Sequence, residues 1–192
     1  MVWLPYDEHR LATVGVRGRA ARVLVEQGLP ADCHRMFVRD RDRELAVREL
    51  PAGRAVFLGA FDDGVNTYWL LTGSGEVWMV RGYDAAEEQY GLVSTSVDHL
   101  VEVLRIWEGF LHSGRSDEDD DYEDWAAGVI ERARRADPPV FTDEDSWWSR
   151  VFEEVELGVL GPVQADGSAG GRGVSDAHLR ADTPARADRS SR

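Results

Sequence analysis

Apolar residues follow different rhythms in successive parts of this chain, and each rhythm predicts a different kind of element. Between about Thr13 and Gln27, Ala20, Val23 and Leu24 fall on one side of a helix, and Gly28 and Pro30 supply C-terminal punctuation. A first helix is expected there. From Cys33 to Arg81 the pattern changes to short runs of Val, Phe, Tyr and Trp separated by turn residues, as in β-structure. Ala55 to Phe61, Thr67 to Thr72 and Glu76 to Val80 read as three consecutive antiparallel strands, joined by Asp62-Asp63-Gly64 and Gly73-Ser74-Gly75. Short edge strands are expected at His34 to Val38 and Leu45 to Val47, and a last strand at Tyr90 to Val93.

The rhythm then lengthens to three and four. Val97, Leu100, Val101, Leu104, Trp107 and Leu111 form one helical stripe, with Ser96 as N-cap and Asp98 where the helix dipole favours an anion. After Gly114, seven of the eight residues from Asp117 to Asp124 are acidic, which reads as a solvated loop running into a helix start. Tyr122, Trp125, Ala126, Val129 and Ala133 make the stripe of a third helix, ended by Asp137-Pro138-Pro139. A fourth helix is expected from Thr142 or Asp143, with Trp148, Val151, Phe152 and Val155 on one face and Gly158 closing it. From Gly161 onward there is no aromatic residue, and the composition predicts a disordered tail. The expected organisation is one α+β domain over residues 1–160, a central antiparallel sheet flanked by about four helices, followed by a tail at 161–192.

Composition narrows the partners. The 36 acidic residues against 22 basic ones leave a formal charge of −14, so nucleic acid and anionic membrane surfaces are expected to be repelled and a basic protein attracted. Every basic residue is Arg. The single cysteine excludes an intramolecular disulfide framework and a cysteine-based zinc cage, which fits a reducing compartment. The N-terminus lacks a basic region followed by an apolar one, and no apolar run approaches the ~18 residues of a membrane span. A soluble, monomeric protein of the bacterial cytoplasm is the expectation.

The chemical candidates are weak beside their ordinary readings. The acidic run clusters oxygen ligands, but it lacks the glycine turn and the alternating ligands of a calcium loop. Asp62-Asp63-Gly64-Val65-Asn66 suits a hairpin turn better than a phosphate loop. Gly73-Ser74-Gly75 precedes a strand rather than the helix that a nucleotide site requires. His9, His34, His99, His112 and His178 contain no pair spaced as on a zincin helix. Cys33 and His34 adjoin, but neighbours in a strand point to opposite faces, which disfavours a dyad. No cofactor or metal is expected. The adjacent Trp147 and Trp148 subtend about 100° on a helix, so one is expected to pack on the sheet while the other reaches a partner or a neighbouring helix.

Several segments together resemble the SUKH superfamily, and its fourth immunity subgroup in particular. They are Gly28-Leu29-Pro30 with Met36-Phe37, Phe57-Leu58-Gly59 with Asp63-Gly64, Tyr68-Trp69-Leu70-Leu71 with Gly75-Glu76-Val77-Trp78, Ser94-Thr95-Ser96 opening a helix, and Trp147-Trp148 with Phe152-Glu153-Glu154 and Gly158. Their order spans about residues 10 to 160. The resemblance implies an α+β fold without an active site, encoded beside polymorphic toxins that are often nucleases or nucleic-acid deaminases. It further implies a protein that protects the producing cell by binding the toxin domain. The acidic charge agrees independently, since a toxin that handles nucleic acid presents basic surface.

The expected function is therefore toxin neutralisation by occlusion, with no enzyme activity. The expected partner-binding residues are Asp62, Asp63, Trp69, Trp78 and Tyr83 around the hairpins, Asp117, Asp119, Asp120, Asp121, Glu123 and Asp124 in the acidic run, and Trp147. Two other readings are kept: a regulatory or scaffold module, because the same superfamily includes regulators of fungal cell-wall synthesis, and a hydrolase built on a carboxylate pair.

Overall fold

The computed structural model describes residues 1–82 and 88–163. The expected tail and Tyr83 lie outside the described residues, apart from residues 161–163. The chain opens with a two-residue strand, β1 (Trp3–Leu4), then α1 (Glu8–Val14), α2 (Gly18–Glu26) and β2 (Leu29–Pro30), which pairs antiparallel with β1. The helix expected over Thr13 to Gln27 is α2, which starts later, and α1 before it was not expected. Asp7 caps α1 by accepting from the Arg10 backbone N–H at 2.8 Å, and Gly15, at φ 91°, ends it. A left-handed glycine stops a helix that the apolar spacing alone would continue. Gly28 has a steric reason as well: at φ 69°, a Cβ there would lie 2.2 Å from the Leu4 carbonyl oxygen.

His34 to Val38 is not a strand. His34 and Arg35 have positive φ, and only isolated bridges join Val38 to Asp32 and to Ala60. This connection is instead fastened by Arg39, which stacks on the Tyr6 ring at 3.9 Å, donates to the Leu4 carbonyl at 2.6 Å and pairs with Glu44. The first edge strand is β3 (Val47–Leu50), later than the expected Leu45 to Val47.

Five strands then form one antiparallel meander: β3, β4 (Gly53–Ala60), β5 (Thr67–Leu71), β6 (Val77–Arg81) and β7 (Gln89–Ser94). Phe57 sits opposite Trp69, and Trp69 opposite Trp78. A register irregularity between Phe57 and Gly59 lets the connection from residues 37–38 press against β4. A Cβ on Gly59 would meet the Phe37 ring at 2.6 Å and the Val38 carbonyl oxygen at 2.7 Å.

All helices of the described residues belong with one face of this sheet. Val56, Leu58, Tyr68, Leu70, Val77, Met79 and Val93 share a core with them. The longest helices are α3 (Val97–Leu111) and α4 (Tyr122–Ala136); a 3-10 turn (Pro138–Phe141) and α5 (Trp147–Glu156) complete the layer. Ser96 caps α3 as expected, accepting from the His99 N–H at 3.3 Å. The last helix starts later than Thr142 or Asp143, because Pro138-Pro139 sets up the 3-10 turn and Ser146 is the N-cap.

A ring-to-ring file joins the helices. Trp148 lies 6.1 Å from Phe152, Phe152 6.2 Å from Trp107, Trp107 5.2 Å from Phe110, and Phe110 stacks on Trp125 at 5.5 Å. At the other end of the layer, the fully buried Asp137 ties α4 to the turn before α3. It accepts from Ser94 Oγ at 2.9 Å, from the Thr95 N–H at 2.8 Å and from Thr95 Oγ1 at 2.6 Å. Removing that carboxylate would strand three donors of the turn, two side-chain hydroxyls and one backbone N–H.

Two expectations follow. Asp137→Ala is expected to destabilise the fold by about 2–4 kcal/mol, since each hydrogen bond to a charged group is worth more than a neutral one; a chemical denaturation midpoint indistinguishable from wild type would contradict this role. Burial pushes the Cys33 thiol from its ordinary 9.0 up to about 12. The unfolded chain therefore sheds that proton first, and stability is full below pH 9 and falls as pH rises from 9 to about 12. Burial raises Tyr68 and Tyr6 in the same sense. Alkaline denaturation curves check this, and Cys33, fully buried, is expected to resist thiol reagents until the protein unfolds.

Candidate functional site

The residues singled out from the sequence do not converge; the fold distributes them over three places. The first is the β4–β5 hairpin. Asp62 and Asp63 are exposed at its tip, where Gly64 takes φ 69°. Asp63 shapes the turn: one oxygen accepts from the Val65 and Asn66 N–H groups at 2.8 and 3.0 Å, and the other from Asn66 Nδ2 at 3.1 Å. Trp147, the first residue of α5, is half-buried beside this hairpin, edge-on to Phe61 at 5.3 Å and to Tyr68 at 6.4 Å. Trp148 is fully buried, so both indoles serve the same core from different sides of the helix turn.

The second place is the far face of the sheet, which carries its own small cluster of Leu50, Ala55, Phe57, Ala60, Trp69, Leu71 and Val80, with Trp78 and Tyr90 packed against it. Trp69 is only 5% exposed. Arg48 lies over its ring at 5.7 Å and pairs with Glu88, which also accepts from the Tyr90 hydroxyl at 2.7 Å. The hydrogen bond from Arg48, reinforced by that from Tyr90, holds the Glu88 carboxyl below the usual range. Arg43 similarly covers Phe57 at 4.5 Å. This face is thus covered by guanidinium groups resting on aromatic rings, with the Glu88 carboxylate holding Arg48 in place. Trp78 remains half-buried, its indole donating to Glu76 at 3.1 Å.

The acidic run is the third place. Asp117, Glu118, Asp119, Asp120, Asp121, Glu123 and Asp124 are all exposed. Some have local work: Asp119 accepts from the Ser116 N–H at 3.0 Å, and Asp121 pairs with Arg115. Glu123 and Asp124 stand in the first turn of α4, where the helix dipole stabilises them, and Arg134 and Arg135 close its last turn. Among the described residues no three His, Cys, Asp or Glu side chains are grouped so as to hold a metal ion.

The hairpin and the acidic run stand at opposite ends of α5. Trp147 touches the hairpin side, whereas Val155, Glu156 and Gly158 share a cleft with Asp117 and Glu123. Ten helical residues separate these ends by roughly 15 Å. Between them runs an acidic strip that sequence reasoning did not single out: Asp143, Glu144 and Asp145 before the helix, then Glu153, Glu154 and Glu156 along it, all exposed. Arg150 is set among them, paired with Asp145 and, at 3.6 Å, with Glu153. The signal was present in the alternation of these acids with the buried Val151, Phe152 and Val155.

One constellation has the residue types of a catalytic triad. Thr95 Oγ1 lies 2.8 Å from His99 Nδ1, and Asp137 Oδ1 lies 3.5 Å from the same nitrogen. In a triad the imidazole stands between hydroxyl and carboxylate, using opposite nitrogens. Here both crowd one nitrogen and the hydroxyl binds the carboxylate directly, which is the geometry of a structural clamp. Cys33 and His34 form no dyad either: the thiol is buried near the Leu104 carbonyl at 3.9 Å, while His34 faces solvent on a turn.

A family model for the SUKH-4 immunity proteins matches residues 4–154. No curated protein and no solved structure matches the chain. No helix among the described residues is long and apolar enough to cross a membrane.

Because the Arg48–Glu88 pair is partly open to solvent, Arg48→Ala is expected to change stability by less than about 1 kcal/mol while uncovering Trp69. A larger loss in denaturation, or unchanged acrylamide quenching of tryptophan fluorescence, would contradict the strap described here.

Proposed function

The chain belongs to the SUKH-4 immunity protein family, and on that premise we propose that it neutralises a cognate polymorphic toxin by seating on the toxin domain and blocking its substrate. The observation that carries this reading beyond family membership is the acidic side of the helical layer. The run from Asp117 to Asp124, the triplet Asp143 to Asp145 and the acids of α5 are all directed to solvent. A domain that cleaves or deaminates nucleic acid needs a basic cleft, and a surface of opposite sign both steers the encounter and competes for the same cations. Asp117, Asp119, Asp120, Asp121, Glu123 and Asp124 are the proposed principal contacts. Asp62, Asp63 and Trp147 extend the surface past the other end of α5. Trp69 and Trp78, on the far side of the sheet, would lie outside a single contact patch centred there. Binding of this kind requires no catalytic group and no cofactor, and it suits a monomer acting in the cytoplasm where the toxin is made.

Co-expression with a cognate toxin domain tests the reading. Wild type is expected to restore growth, and changing Asp119, Asp120, Asp121, Glu123 and Asp124 together to their amides is expected to weaken binding by about tenfold or more, with a shallower salt dependence. Growth that stays arrested with wild-type protein present, or binding indifferent to salt, would defeat the proposal.

A further inference from the structure

The cleft between α4 and α5 differs from the rest of the acidic surface. Its volume is about 500 Å³, and among the described residues its lining includes Asp117, Glu123 and Glu156 but no cation. Its floor is apolar, made by the buried Ala126, Ile130 and Val155. On its lip Leu157 is 69% exposed, and Val159, two residues on, is equally so. Isolated exposed aliphatics are ordinary, but here they adjoin an apolar floor inside a ring of carboxylates. Tyr122 also lines the cleft and is 7% exposed, yet its hydroxyl has no hydrogen-bond partner among the described residues. Burial raises the pKa of that hydroxyl, so the ring closes the inner wall of the cleft as a neutral group.

We propose that this cleft receives an apolar side chain flanked by arginine or lysine, presented by a segment of a partner protein. The apolar group would rest on Ala126, Ile130 and Val155, and the flanking cations would face Asp117, Glu123 and Glu156. An anchor in a pocket ringed by polar groups is the usual anatomy of the energetic centre of an interface. A second copy of this chain is a poor occupant, because its net charge of −14 would meet the acidic rim. Taking the partner to be the toxin domain rests on the immunity reading above.

Two short synthetic peptides of equal positive charge test the cleft apart from any toxin. One carries leucines at helical spacing between arginines, and in the other serine replaces each leucine. Added to the full chain, the leucine peptide is expected to bind about tenfold more tightly and to shift the amide NMR signals of Ala126, Ala127 and Leu157. Equal binding of the two peptides, or shifts confined to other surfaces, would overturn the inference. So would nuclear Overhauser contacts in the free chain between Ile130 and residues 164–192, which would place the chain's own terminus in the cleft. With a cognate toxin domain, Ala127→Arg and Leu157→Ser are expected to weaken binding about tenfold, while Trp78→Ala stays within about twofold. Full binding by Ala127→Arg would remove the cleft from the toxin interface and leave immunity standing. A toxin domain that never binds, beside a selective leucine peptide, would defeat the immunity reading and leave the cleft as a site for a basic segment of another protein.

Discussion

Closing one face of a five-stranded sheet is the constraint on which the rest of this structure depends. The inner face of β4, β5 and β6 is lined by Val56, Leu58, Tyr68, Leu70, Val77 and Met79, whose exposure to water would cost far more than the fold's margin of stability. The helical layer buries them. Its own cohesion comes from the aromatic file Trp148, Phe152, Trp107, Phe110 and Trp125, which runs from α5 through α3 to α4. The indole N–H groups of Trp107 and Trp148 have no hydrogen-bond partner among the described residues, so packing rather than polar bonding positions these rings.

That one-sided arrangement sorts the surface by charge. Helices α4 and α5 turn their apolar stripes inward, which forces Glu123, Asp124, Glu153, Glu154 and Glu156 outward onto the same side as the acidic loop. Among the described residues no helix covers the opposite sheet face, over which Arg43 and Arg48 are laid on Phe57 and Trp69. A guanidinium suits that task because it stacks flat on a ring while keeping its donors available. The molecule thus gathers carboxylates around the cleft between α4 and α5, and lays arginines over the outer face of the sheet.

Sequence reasoning succeeded where local periodicity and burial coincide. The stripe from Val97 to Leu111 with its Ser96 cap, the three central strands, and the Asp-Gly hairpin all reflect forces acting over a few residues. It failed where a long-range contact overrode the local pattern. The first expected helix starts at Gly18 rather than Thr13, because Gly15 ends a separate helix before it, and the turn at His34-Arg35 replaces an expected strand because Phe37 and Val38 must fit against Gly59 of β4. Ser146, not Thr142, begins the last helix because the 3-10 turn after Asp137 consumes the intervening residues.

By itself, the sequence determined the α+β class, the antiparallel strands, the two long amphipathic helices and the surplus of acid, since each follows from residue type and spacing. Only the tertiary structure decided which of those residues are neighbours. It buried Trp69 under Arg48, placed Asp62 and Asp63 a helix length away from the acidic run, and enclosed Tyr122 in a cleft with Val155 and Glu156. The reason is physical: periodicity specifies which face of an element is apolar, whereas the element that covers that face, and the surface left over, depend on how all the elements pack at once.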